Sequence, residues 1–421
     1  MHEASDGAQQ YKAVMSEFQV TAHLAPAPVA AKLCLWFFIA MLSISIAFTV
    51  VTGDLNGDFY GVPLSMTCWG FAFVALISLA PYVIGYLMYK QFTRTAPPPS
   101  VRVGNALLGS MFFVVTLWFI VLAIQYDVGV LGREIYDAPE LIKPIIQISN
   151  RINPFYLGVF FIVGYQGSKK TIALGILLLI TLGLLRAGLG VFMYVFLALV
   201  IRNHESLSGS FRRYFFKLAL ALVILPIITP QLYAIRSEMR ESQDINLDMS
   251  AVEIVIGRLV GRLSSISNTV FIYQNADQFR SDARVLDPMY FQRQTLAPLL
   301  GAGIIPENIP ERLLINVHGG TLFDVSFMTG VPGNLAFAWF IHPLIALTNA
   351  ITMTLMAWLS FLFANKLDLP YRNEVCFMLL LYPITSGVGN EFSFIAVSMV
   401  ALIVLFKFLR LFRIRTVIIR I

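Results

Sequence analysis

Long apolar stretches alternate with short polar ones along this chain, and the runs have the length of membrane-crossing helices. Apolar runs cover residues 33–51, 62–87, 103–125, 152–166 and 218–233, and a further long run ends at Phe363. A helix needs about 20 apolar residues to cross the hydrocarbon layer, and fewer where neighbours shield it. Two stretches are too long for one crossing. Residues 171–201 carry Arg186 in their middle. At ~1.5 Å per residue one helix over this stretch would overshoot a core of ~30 Å. The pattern therefore predicts two short helices folded back at Leu184-Leu185-Arg186-Ala187-Gly188. Residues 375–408 are interrupted by Ser386-Gly387-Val388-Gly389-Asn390-Glu391, which predicts a second tight helical hairpin.

Composition supports the same class. Hydrophobic residues make up 57% of the 421-residue chain and charged ones 13%, against roughly 25% charged in ordinary soluble domains. A soluble protein this apolar could not cover its surface. The net charge of +6 does not argue for nucleic acid, because the basic residues sit between apolar runs, where they set orientation. With the N-terminus inside, 18 of the 30 basic residues fall on the inner side. The opposite side begins with the acidic Gly53-Asp54-Leu55-Asn56-Gly57-Asp58. The expectation is an all-α polytopic membrane protein of about ten transmembrane helices. The expected layout is a cytoplasmic tail over 1–32, helices one to seven over 33–233, a large periplasmic loop with amphipathic helices over 234–330, helices eight to ten over 331–409, and a basic cytoplasmic tail over 410–421. The first thirty residues lack a basic segment before a short apolar core, so no cleaved signal peptide is expected. Cys34, Cys68 and Cys376 lie in or beside apolar runs and read as packing residues.

The loop changes the picture. Connectors this long are uncommon unless they carry a role. Of the 12 basic residues on the outer side, 11 are arginine and only Lys143 is lysine. Guanidinium groups bind phosphate or carboxylate bidentately, which lysine cannot do. The loop holds 8 arginines against 11 acidic residues, so individual arginines rather than bulk potential must bind any anion. In Ala251-Val252-Glu253-Ile254-Val255-Ile256-Gly257-Arg258-Leu259-Val260-Gly261-Arg262-Leu263 apolar residues recur at helical spacing. Arg258 and Arg262 then share a face of a helix expected to lie at the membrane interface. Arg236 with Arg240, and Arg280 with Arg284, repeat the spacing.

No P-loop, H-E-x-x-H, G-x-S-x-G or dinucleotide-binding fingerprint occurs. Arg186 reads either as a tip residue reaching for water or as an anion ligand at the membrane surface. His318 reads as an incidental loop histidine or as a base. His342 reads as an interfacial packing residue, and His204 as a solvated loop residue. Asp277, Asp282 and Glu253 have arginines nearby at or close to helical spacing, and ordinary ion pairs account for them. No D-x-D pair occurs in an outer loop, so metal-bound nucleotide-sugar chemistry has no support.

In order, the loop reads Gly261-Arg262-Leu263-Ser264-Ser265, then Leu300-Gly301-Ala302-Gly303-Ile304, then His318-Gly319-Gly320-Thr321-Leu322-Phe323-Asp324, and on to Gly330-Val331-Pro332-Gly333. This series resembles the O-antigen polymerase and ligase superfamily, whose members carry an arginine-led helix, a G-x-G turn and an H-N-x-x-L…G-x-x-G segment in a large periplasmic loop. The hairpin tipped by Arg186 resembles that family's membrane hairpin. Here Gly follows the histidine, and the interval to Gly330 is one residue longer. The resemblance implies a metal-independent, GT-C-type glycosyltransferase of the bacterial inner membrane, with both termini cytoplasmic and the active site periplasmic. Its donor would be an undecaprenyl-diphosphate-linked oligosaccharide. It also implies His318 and Arg262 as catalytic, with Arg186, Arg258 and Arg262 on the diphosphate and Asp324, Arg280 and Arg284 in support. No metal or cofactor is implied. The partners implied are the lipid-linked oligosaccharide, membrane lipid and a chain-length regulator, with no nucleic acid. A polymerase of repeat units is the expected activity, a ligase onto lipid A core the nearest alternative, and a flippase-type transporter the alternative from another class.

Overall fold

The computed structural model describes residues 27–130, 138–209, 260–282, 287–305 and 342–418, apart from 187, 189 and 265, together with the single positions 231, 255, 257 and 339. The expected span over 218–233, the N-terminal tail to residue 26, most of the arginine helix and the segment around His318 lie outside the described residues.

The described chain is almost entirely helical. The first helix, α1, runs Pro28–Thr52, where Pro28 supplies a preset φ at the first turn and Gly53 ends the helix at φ +77°. The next pair, α2 (Cys68–Ile77) and α3 (Ala80–Arg94), forms one kinked rod. The break falls where Pro81 cannot donate to the carbonyl four residues back. Residues 62–66, which the sequence pattern assigned to this span, are not helical: Leu55 N–H bonds Val62 O at 2.7 Å and Leu64 N–H bonds Gly53 O at 2.8 Å. That pairing turns Leu64 and its neighbours back towards α1.

There follow α4 (Asn105–Tyr126), α5 (Lys143–Ser149), α6 (Pro154–Gly164), α7 (Lys169–Leu185), α8 (Gly190–Arg202) and α9 (His204–Gly209). The hairpin expected at Arg186 is the α7–α8 turn. From the loop come α10 (Gly261–Ser264), α11 (Ile266–Gln274), α12 (Ala276–Asp282) and α13 (Tyr290–Leu300). The last three helices are α14 (Pro343–Lys366), α15 (Arg372–Ser386) and α16 (Gly389–Ile418). The α15–α16 break is the second expected hairpin, turned by Gly387 at φ +78°. Apart from helices, the described residues hold short 3-10 turns, such as Gly57–Phe59, an isolated antiparallel bridge between Asp54 and Pro63, and the two-residue parallel pairing of β1 (Val101–Arg102) with β2 (Leu367–Asp368).

Among the described residues, five helices are long and apolar enough to cross a membrane: Pro28–Thr52, Cys68–Arg94, Asn105–Tyr126, Pro343–Lys366 and Gly389–Phe408. The short α6 and α8 are apolar too. Helix α6 can be short because nearly all of it is buried, with Phe161 stacked on Phe112 at 4.2 Å and Leu179 filling the space beside Gly158. Around an apolar core, the outer surface is apolar as well, unlike that of a soluble protein. Leu344, Leu347, Ile351, Leu355 and Trp358 form one outward stripe of α14, while Asn349 and Ser360 are buried. On α4, Val114, Leu117, Val121 and Ile124 face outward while Thr116 is buried. Apolar-out and polar-in is the arrangement that lipid, not water, rewards.

Candidate functional site

Two ends of the bundle differ in chemistry. At one end, β1 pairs with β2 and the last turns of α3, α8 and α14 gather with the start of α15. The Arg202 guanidinium donates to the Ile162 and Tyr165 carbonyls at 2.6 and 2.8 Å, holding the frayed end of α6. Arg372 does the same for Leu367 and Pro97 at 2.9 and 3.1 Å. Glu374 is buried and accepts from the Ala27 N–H at 2.9 Å and the Tyr89 hydroxyl at 2.7 Å. His204, read from sequence as solvated, is buried instead: its ring Nδ1 is 2.9 Å from the Ile201 carbonyl oxygen and its edge meets the Tyr371 ring. The Tyr371 phenol is held above its ordinary pKa by burial, with Glu205 and Glu374 adding to the effect. The polar letters around His204 suggested a loop, but α9 continues directly from α8 and carries it inward.

The other end receives the described parts of the large loop. Gly261, at the start of α10, lies against Gly57, where a Cβ would stand 2.2 Å from the Gly57 nitrogen. Only glycine permits that approach. Beside it Asn56 is fully buried: its Oδ1 accepts from Ser45 at 2.8 Å and from Ser267, and its N–H donates to the Ser267 hydroxyl at 3.2 Å. Phe59 stacks on Phe271 at 3.8 Å, and Ser65 N–H bonds Gln274 at 3.3 Å. The part of the loop from Gly261 to Gln274 is therefore fixed to the turn after α1 instead of lying free on the surface.

Helix α13 packs against α16 and α14, with Tyr290 and Phe291 buried. Leu296, Leu299 and Leu300 face outward, while Gln294 and Thr295 are buried. Gln294 Oε1 accepts the Gly389 N–H at 3.1 Å, and the Ser393 hydroxyl donates to the Thr295 carbonyl. Gln292 donates to Asn349 and Thr352 at 3.0 and 3.3 Å. The helix stops at Gly301, φ +104°, and enters the short turn Ala302–Ile304, which is the expected G-x-G turn. Arg293 bonds Asp287 at 2.7 Å in an exposed ion pair the sequence pattern did not single out.

The expected site residues divide as follows. Arg186 closes α7 at this same end, its guanidinium carbon 4.6 Å from the Phe119 ring centroid and also against Gly129, whose Cβ, if present, would meet it at 2.8 Å. The guanidinium thus packs against an aromatic face and a bare backbone. Arg262 is carried by α10 and Arg280 by α12. Arg258, Arg284, His318 and Asp324 lie outside the described residues.

One group went unnoticed in the sequence. Glu391, in the first turn of α16, accepts a hydrogen bond from the Tyr156 hydroxyl of α6. Tyr156 meets Tyr194 of α8 edge-to-face, with ring centroids 5.6 Å apart. Three helices thus bring two phenols and a carboxyl together. A carboxylate inside an apolar run was the available signal, hidden because it falls in the hairpin break. Among the described residues, no group of three or more His, Cys, Asp or Glu side chains could hold a metal ion.

The fold and these two ends define an all-helical protein whose main helices have the length and surface of membrane spans. Compared with known proteins, the chain matches no family model, no characterised protein and no solved structure.

Proposed function

We propose that this chain is a membrane-embedded, metal-independent glycosyltransferase that polymerises undecaprenyl-diphosphate-linked oligosaccharide repeat units at the periplasmic face of the inner membrane. In this reading about ten spans form a GT-C-type scaffold, with the large loop as its lid. The observation that carries it is the convergence at one bundle end: α10, bearing Arg262, is anchored on the turn after α1, and the α7–α8 hairpin presents Arg186 at that same end. The motif order of the loop, with Gly301 at a real turn and His318 beyond it, adds support.

The donor's leaving group is a lipid diphosphate, whose charge grows as the bond to the sugar breaks. Arg186, Arg258 and Arg262 would stabilise that charge without a metal. His318 would take the acceptor hydroxyl's proton as the new glycosidic bond forms, since an imidazole titrates near neutral pH. Asp324, Arg280 and Arg284 would support the loop around it. The acceptor would be the next lipid-linked unit, and a chain-length regulator would set when transfer stops.

Incubation of purified protein with lipid-linked repeat units alone tests the reading. A polymerase yields a ladder of lengths. A single product that appears only when lipid A core is added would identify a ligase, and no product with either acceptor would reject the glycosyltransferase reading.

A further inference from the structure

We infer that the cluster of Glu391, Tyr156 and Tyr194 is a subsite for the hydroxyl groups of a sugar, which the arginines do not hold. This inference rests on the polymerase reading for the identity of the sugar. A carboxyl within an apolar bundle is costly and persists where it serves a purpose, with its partner identifiable. Here the partner is Tyr156, which is fully buried and donates to one carboxyl oxygen. Glu391 itself keeps partial accessibility, as does Tyr194. The carboxyl therefore has one oxygen tied to the protein, on a residue that is not fully enclosed.

The neighbouring groups match a polyhydroxylated ligand and not an anion. Phenols offer donor and acceptor oxygens, and their rings offer flat apolar faces to the C–H side of a sugar. A carboxyl repels phosphate but accepts hydrogen from hydroxyls. Next to it, Asn390 has a buried Oδ1 with no hydrogen-bond partner, an acceptor left over for a ligand's hydroxyl. The walls are built to last: Gly389 is pinned by Gln294, and a Cβ there would stand 2.8 Å from that amide oxygen. Division of labour follows, with arginines for the diphosphate and the carboxyl–phenol cluster for the sugar.

Carbodiimide labelling tests this on the full-length protein in detergent. Dicyclohexylcarbodiimide is expected to modify Glu391, read by peptide mass spectrometry, with Glu391→Gln as the blank. The probe is the repeat-unit oligosaccharide freed of lipid and diphosphate by mild acid. It should slow modification at Glu391 at least about five-fold, and undecaprenyl diphosphate alone should not. Tyr194→Phe should weaken the protection, while leaving the labelling rate of the unliganded protein within about two-fold. Failure of Glu391 to react would show the carboxyl sealed, and equal protection by the bare lipid diphosphate would make it part of the anion site; either overturns the subsite. Reaction without protection by the oligosaccharide overturns it as well. Failure of the polymerase reading is separate, because that reading is judged on whether wild-type protein makes a ladder.

Discussion

At the residue scale, close approach decides more than charge. Gly261 touches the Gly57 backbone, so a methyl group there must push α10 away from the turn after α1. Gly261→Ala is expected to destabilise the protein by about 1–3 kcal/mol, the usual cost of overpacking, seen as a lower melting temperature in detergent and faster proteolysis within the loop. An unchanged melting temperature would mean that the loop is not seated on Gly57. Arg202 acts through hydrogen bonds instead, since its guanidinium holds two carbonyls at the end of α6. Arg202→Met keeps the length but leaves those carbonyls without it, and an expected loss of about 1–3 kcal/mol follows from unmade buried bonds. Arg202→Lys should recover part of that loss, because a lysine reaches one carbonyl but not both.

At the element scale, α13 is the instructive case. Its leucines point outward, and Gln294 points inward beside the buried Tyr290 and Phe291, so its position depends on polar contacts in the bundle as well as on apolar packing. Gln294→Leu should therefore loosen it although the substitution is more hydrophobic. A cysteine placed at the buried Thr295 would then react faster with a polar maleimide in the Gln294→Leu background than in its absence. Equal rates would show that Gln294 does not hold the helix. The same logic explains why α6 was readable only as an apolar run: its 11 residues are enough because other helices, not lipid, surround it.

At the scale of the whole molecule, the alternation of helices sets which groups can meet. Ser149 ends α5 and Ser168 caps α7, and α6 lies between them. In sealed vesicles, with Cys34, Cys68 and Cys376 replaced, cysteines at positions 149 and 168 should label from opposite sides; labelling from one side would break the proposed topology. Catalysis belongs to this scale too. Under the polymerase reading, Arg262→Ala and His318→Ala should each reduce polymer formation in cells by ~100-fold or more, the range of a lost transition-state donor or general base. Normal polymer length and amount in both variants would remove them from the site.

The sequence by itself determined the apolar runs, the two hairpin breaks at Arg186 and at Ser386–Gly387, and the glycine turn at 301, because each is local. Run length, a charge in the middle of a run and a glycine at positive φ act within a few residues. Tertiary structure alone decided that residues 62–66 fold back on Gly53, that His204 is buried and that Gly261 meets Gly57. It also brought Glu391 to Tyr156, which lies 235 positions away along the chain. Such pairings depend on which helix faces which. In a chain whose helices are apolar on nearly every side, hydrophobic periodicity marks no inward face, and only packing reveals where the few polar groups converge.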